Sequence, residues 1–257
     1  IASFQASAVS YLYYADRIYQ INLAVAGIAI GTVVLPQLSK LIEQENILEI
    51  LKIQNKALEL SLFLSLPATV ALFIASEPIV SALFGYGSFS EISVQNSAQA
   101  LFYFAFGLPA FSMIKVFSSF FFARHDTKIP FYISLASVAI NILISVSLFN
   151  KFGFIIIPIA TSISSWFNAL LLYFFMVKKD FFIFNNIFKF KFPRIIFSTA
   201  IMGIIFYLLL NQFSFQLNYN QNFKFFYLLL NILIALVSYI LILFFTRALK
   251  FNNIKIR

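Results

Sequence analysis

Residues 13–38 read YYADRIYQINLAVAGIAIGTVVLPQL. An adjacent acid and base, Asp16 and Arg17, stand among tyrosines, and eighteen uncharged residues follow, from Ile21 to Leu38. A run of that length fits the roughly twenty residues a helix needs to cross a hydrocarbon core about 30 Å thick. Barrel strands would instead show segments of about ten residues with alternating polarity. Neither this run nor Phe131–Leu148 alternates. The stretch reads as a membrane-spanning helix, and the charged pair at its mouth sets the functional question.

Composition extends this reading to the whole chain. Its 257 residues are 61% hydrophobic and 11% charged, with 36 Phe. A soluble domain has about 45–50% apolar and about 25% charged residues, so the departure is toward the membrane on both counts. The fold class expected is all-α, a polytopic helical bundle of about seven complete spans forming one lobe of a larger transporter. Apolar runs and breakers place spans near 7–38, 57–76, 91–122, 130–149, 154–177, 194–211 and 225–246, with 1–5 as the tail of a preceding span. Residues 41–56, LIEQENILEILKIQNK, mix acids, amides and lysines with Ile and Leu, suggesting an interfacial or cytoplasmic amphipathic helix that serves as a cytoplasmic linker. Ser90 before Glu91 predicts a helix N-cap after the loop FGYGSFS, where Gly85 and Gly87 are expected to bend the chain. No signal peptide is visible, and an opening Ile1 inside an apolar stretch suggests a fragment.

Charge supplies an orientation. Lys40, Lys52, Lys56, Arg124, Lys128, Lys178, Lys179, Lys189, Lys191, Arg194, Arg247, Lys250, Lys255 and Arg257 fall on one side, and only Lys151 and Lys224 on the other. Fourteen against two puts the first group in the cytoplasm by the positive-inside rule. The net charge of +9 then reflects topology and contact with anionic membrane lipids. A basic soluble face that nucleic acid would need is missing. The absence of cysteine excludes disulfides and thiolate metal sites. His125, in the charged turn ARHDTK, reads as a solvated loop residue rather than a metal ligand.

Two basic residues remain, Arg17 and Lys115, both inside predicted spans. Charge at a helix centre in a bilayer costs about 2.5–3.5 kcal/mol on insertion scales, which makes such residues functional candidates. Two readings are open for Arg17: snorkelling to the outer interface among Tyr11, Tyr13 and Tyr14, or facing a cavity. Tyr13, Arg17, Gln20, Ala24, Gly27 and Gly31 follow 4-3-4-3-4 spacing and form a polar-to-small stripe, which favours pointing into the bundle. Lys115 lies nine residues before Arg124, about 13 Å deep by helical rise, with Ser112 and Ser119 on its face. A cavity role and a structural hydrogen-bonded role are both open for it. Two inward cations describe an anion-attracting cavity, and a guanidinium suits a pyrophosphate. Asp16 would orient Arg17 or pair with it. No nucleophile–base pair, phosphate loop or acid cluster is assembled, so an enzyme is not expected.

The segment YYADRIYQINLAVAGIAIGTVVLPQLSK resembles a motif of the lipid II flippase (MurJ, or MviN) family, and LFGYGSFS, ARHDTKIP and GFIIIPIATSIS follow in that family's order. The resemblance covers essentially the whole chain. It implies the C-terminal lobe of a fourteen-span protein of the multidrug/oligosaccharidyl-lipid/polysaccharide exporter fold, residing in the bacterial inner membrane with its C-terminus cytoplasmic. The implied activity is translocation of lipid II, the undecaprenyl-pyrophosphate-linked peptidoglycan precursor, by alternating access. Arg17 falls on the family's cavity arginine, and its partners would come from the missing N-terminal lobe. Lys115 matches a basic position. Gln20 departs from the acid many members carry there. Asn141 and Thr161 match a sodium site proposed for some members, but the acid expected one turn after Asn141 is Ser145 here; a core amide and an interhelical hydroxyl are equally good readings. No cofactor is implied, and membrane potential or sodium would drive transport. Two other classes compete. A cation-coupled drug antiporter of the same fold would want an intramembrane acid, for which only Asp16 offers itself. A non-transporting membrane scaffold would leave both cations merely snorkelling or paired.

Overall fold

The computed structural model describes residues 2–5 and 7–248. Among them eight α-helices succeed one another: α1 Ala8–Leu23, α2 Ala29–Glu43, α3 Ile47–Phe84, α4 Glu91–Phe122, α5 Lys128–Phe152, α6 Ile156–Lys178, α7 Asn186–Gln212 and α8 Lys224–Phe245. Lipid offers no hydrogen bonds to a backbone, so long apolar runs satisfy their own amides as helices. The helices α3, α4, α7 and α8 and the α5–α6 pair are long and apolar enough to cross a membrane. Apolar side chains such as Phe131, Leu135, Val138, Ile142 and Leu143 of α5 stand exposed, as a face toward lipid requires.

Two expectations about boundaries differ from what is found. Residues 7–38 are not one uniform helix: between α1 and α2 lies a five-residue π segment, Ala24–Ile28. Such wide turns occur often at functional sites. This one passes close to α4, since a Cβ on Gly27 would approach the Ser112 Cα to 3.2 Å. Residues 41–56 are not a separate linker either. A turn at 44–46, with Glu45 in the left-handed region (φ 53°), leads directly into α3, whose first turn is capped by Asn46 accepting from the Glu49 amide at 3.2 Å. No glycine or proline interrupts residues 47–66, so the helix propagates through the change in polarity. Its 38 residues span about 57 Å at 1.5 Å per residue. The polar first turns therefore stand beyond the hydrocarbon. Farther along, the backbone leaves helical geometry at Ala75 (φ −118°, ψ 23°), just before Pro78. Proline there has no N–H for the Ile74 carbonyl, and its ring crowds it.

Helix α4 is the centre of the lobe, packing against α1, α2, α3 and α6. Small residues make the contacts close. Gly107 lies where a Cβ would meet Ser162 Oγ at 3.0 Å, and that hydroxyl donates to the Tyr103 carbonyl at 2.6 Å. Trp166 Nε1 donates to the Phe106 carbonyl at 2.8 Å. The interior divides into two layers. One runs from Leu38, Ile50 and Leu58 through Phe117, Phe120 and Phe182; the other from Ile18 and Leu72 through Phe104, Phe206 and Leu228.

Each end of the bundle is tied by polar contacts. At the basic end Asn55, 2% exposed, donates to the Ile183 carbonyl at 2.9 Å and accepts from the Asn185 amide at 3.0 Å, fastening the α6–α7 connection to α3. Lys191 pairs with Glu59 at 2.6 Å, and Lys179 with Asp126 at 2.6 Å. Burial would raise the Asp126 carboxyl, but the Lys179 bond and charge and the Ile129 and Lys128 amides outweigh it and hold it below the usual range. Arg124 donates to the Phe120 and Phe181 carbonyls at 3.1 and 3.2 Å and lies over the Phe181 ring. Exposed His125 takes no part in these contacts, in keeping with its loop position.

The opposite end holds a contact unforeseen in the sequence. Lys224, counted with Lys151 as a cation of the less basic side, is 1% exposed. Its Nζ donates to the carbonyls of Gly85 (2.7 Å) and Tyr219 (2.8 Å) and lies 4.4 and 4.7 Å from the ring centroids of Tyr86 and Tyr219. Tyr219 in turn donates to the Phe89 carbonyl at 2.8 Å. One lysine thus joins the α3–α4 loop to the α7–α8 loop. Gly85 is glycine for reasons of space rather than φ: a Cβ would sit 2.6 Å from the Ser81 carbonyl oxygen and 3.1 Å from Lys224 Nζ. Gly87 does use a positive φ, 60°. Ser90 caps α4 as expected, accepting from the Ser93 amide at 3.2 Å.

Candidate functional site

The rotation of α1 about its axis is set by its buried side. Ala15, Ile18 and Tyr19 are buried, and Tyr19 packs on Phe104 and Phe111 with ring centroids 5.6 and 5.5 Å apart. Tyr14 is wedged against Phe84 and Phe89 at 4.7 and 4.8 Å. With that side committed to the core, Tyr13, Arg17, Gln20 and Ala24 are exposed on the other. The expected stripe is therefore divided. Its first four members are exposed, while Gly27 is buried and Gly31 half-buried against α4. The π segment contributes, because its wider i→i+5 turn changes the rotation of later side chains about the axis.

Asp16 and Arg17 are neighbours in sequence but not an ion pair. Asp16 accepts from the Gln20 amide one turn on. Arg17 instead lies over the Tyr13 ring, 4.7 Å from its centroid, and makes no hydrogen bond or salt bridge among the described residues, although the Asp16 charge is near enough to act on it. The guanidinium is thus held from one side by an aromatic face and left with its donors open. Gln20 serves Asp16 rather than Arg17, so it stands in for the acid at that position only as a neutral neighbour.

Lys115 is on α4, beside the glycines of the first span. A Cβ at Gly31 would lie 3.3 Å from the Lys115 carbonyl oxygen, and one at Gly27 3.4 Å from its Cγ. Gly27 thus lets the chain lie on the lysine stem, and Gly31 lets it lie on the Lys115 backbone. Lys115 lines a cavity of about 990 Å³ between α2, α4 and α5 and makes no hydrogen bond or ion pair among the described residues. Ser119 lines the same cavity and donates to the Val116 carbonyl at 2.7 Å, whereas Ser112 is buried against Gly27. Gly27, opposite Lys115, lies ten residues from Arg17, about 15 Å along the axis. The two cations thus occupy different depths.

Asn141, Ser145 and Thr161 do come together, between α5 and α6. Asn141 Nδ2 donates to Thr161 Oγ1 at 3.1 Å and to Ser164 Oγ at 3.3 Å, and Ser145 donates to Asn141 Oδ1 at 3.4 Å. Thr161 donates to the Ile157 carbonyl at 2.8 Å. Ser164 was not anticipated; its spacing of three from Thr161 places it on the same helical face. The four residues satisfy one another as an interhelical clamp, with no carboxylate among them.

Helices of membrane-spanning length and apolar outer faces define one lobe of a multi-pass membrane protein. Comparison with known proteins gives the lineage: the family described as "Lipid II flippase MurJ" matches residues 1–230, and the chain belongs to that family. It is 40% identical over 218 residues to a "Probable lipid II flippase MurJ" of Rhizobium meliloti (strain 1021), covering 85% of this chain and 41% of that protein. A protein of the same description from Rickettsia prowazekii (strain Madrid E) is 41% identical over 179 residues, 70% of this chain and 35% of its own length. Among solved structures, "Lipid II flippase MurJ, inward closed conformation" superposes with a TM-score of 0.77 at 26% identity, over 95% of this chain and 48% of that one. The chain spans about two-fifths of the length of these curated relatives and about half of the solved structure.

Proposed function

We propose that this chain is the C-terminal lobe of a transporter that carries lipid II, an undecaprenyl-pyrophosphate-linked precursor, across the bacterial inner membrane by alternating access. The carrying observation is that the two cations read as lying within the spans, Arg17 and Lys115, enter no salt bridge among the described residues. In a bilayer, such charges are tolerated where they face a water-filled cavity. The open side of this lobe would close against the N-terminal lobe, and the substrate pyrophosphate would lie between them. Arg17 offers a planar fork for bidentate contact, and Lys115 a point charge nearer the basic end. The basic end faces the cytoplasm in this reading, on the fourteen-to-two distribution of Lys and Arg. The α5–α6 clamp offers neutral oxygens only, so membrane potential is the favoured driving force and sodium the second.

The test is rescue of cells depleted of their own lipid II flippase by the full-length protein. Wild type should rescue, and Arg17→Ala should fail at matched membrane levels. Failure of Arg17→Lys as well would identify bidentate contact rather than charge alone. Full rescue by Arg17→Ala would overturn the assignment.

A further inference from the structure

The cavity that holds Lys115 holds a second cation. Lys128, the first residue of α5, lines the same 990 Å³ space from its basic-end rim. In a chain with 18 basic and 9 acidic residues, an unpaired lysine is unremarkable on an outer surface. Here, however, the acid that would neutralise it is committed elsewhere. Asp126, two residues away, is held by Lys179 at 2.6 Å and by the Ile129 amide at 3.4 Å. Neither Lys115 nor Lys128 enters any ion pair among the described residues, and no acidic residue lines the cavity. Ser118, Thr127 and Ser134 also line it, and their hydroxyls make no hydrogen bond among the described residues. Two free ammonium groups and three free hydroxyls around one acid-free space make a site for a phosphate or pyrophosphate group.

The position along the membrane gives the site a direction. Lys115 stands seven residues before the end of α4 at Phe122, about 10 Å by helical rise. Lys128 follows across the α4–α5 turn at the mouth, and Arg17 lies beyond Lys115 toward the opposite end. We infer that Lys128 is the entry contact for the substrate's phosphate groups, which it hands to Lys115 and then to Arg17. This rests on the transport reading above. It adds to that reading a binding residue at the membrane-surface end of the cavity.

The test uses the full-length protein in phosphatidylcholine nanodiscs, titrated with farnesyl pyrophosphate. Lys128→Gln is compared with Lys115→Gln, Arg17→Ala, Lys128→Arg and Lys189→Gln, the last an exposed α7 lysine outside the cavity. Lys128→Gln should weaken binding about two- to fivefold, the scale of one partly solvated charge contact, while Lys128→Arg and Lys189→Gln stay near wild type. If Arg17→Ala weakens binding but Lys128→Gln matches Lys189→Gln, the entry contact is overturned and the transport reading stands. If wild type does not bind the probe, or Arg17→Ala binds as wild type does, the transport reading falls and Lys128 with it. A second arm adds phosphatidylglycerol to the discs. Persistence of the Lys128→Gln deficit supports a substrate contact; its disappearance assigns the lysine to bilayer headgroups and overturns the proposal.

Discussion

Replacing Lys224 by methionine keeps the length of the side chain and removes its charge and donors. In the structure that ammonium joins two loops through the Gly85 and Tyr219 carbonyls and two tyrosine rings. Hydrogen bonds to a charged group contribute about 1.5–3 kcal/mol each, and a desolvated cation–π contact up to about 2 kcal/mol. Against this, removing the lysine recovers a desolvation penalty of several kcal/mol, while two carbonyls left without a donor cost about 1–3 kcal/mol each. The balance is a loss of about 2–4 kcal/mol in the closure of residues 85–90 and 213–223. Since 1.4 kcal/mol is a factor of ten, amide hydrogen exchange there should accelerate about thirtyfold to several hundredfold. The measurement is hydrogen exchange with mass spectrometry on the full-length protein. Lys151→Met, an exposed lysine at the same end, serves as the control. Gly85→Ala should act in the same direction, because its Cβ would crowd both Ser81 and Lys224. Combined with Lys224→Met, its effect should be less than additive, as the two share one contact. Exchange in both loops indistinguishable from Lys151→Met would refute the argument.

Two further outcomes are expected at the basic end. Asn55→Leu leaves the Ile183 carbonyl and Asn185 amide without their partner and should lower the stability of the detergent-solubilised protein by about 1–3 kcal/mol, read from thermal unfolding. The Asp126 carboxyl, held below its ordinary value of 3.8, binds a proton more readily unfolded than folded. Its contribution is therefore complete above about pH 4 and fades as pH falls through the depressed folded value. The stability difference between wild type and Asp126→Asn should be constant from pH 7 to 5 and close only in strong acid. A difference that closes between pH 7 and 5 would contradict the assigned direction.

Arg17 and Lys115 were legible because polarity inside an apolar run is conspicuous in one dimension, whatever the fold. Lys128 was legible only as one of fourteen topological charges. It becomes a candidate because the α4–α5 turn brings it to the rim of the space that Lys115 lines, while Lys179 takes the nearby acid. Lys224 was legible only as a cation of the less basic side, because sequence separation hides its partners: Gly85 lies 139 residues away. The 4-3-4-3-4 stripe carried real information about α1, but periodicity assumes a uniform turn, and the π segment breaks that assumption midway.

What the sequence by itself determined was the medium, the all-helical architecture, the charge asymmetry between the ends and the two cations that do not belong in lipid. Each follows from local polarity measured against the thickness of a bilayer. Only the tertiary structure decided which way those cations face, that Asp16 bonds Gln20 instead of Arg17, and that Lys128 shares a cavity with Lys115. Those outcomes depend on helix rotation and on contacts between distant segments, set by the close packing of small residues such as Gly27, Gly31 and Gly107 against α4 and α6.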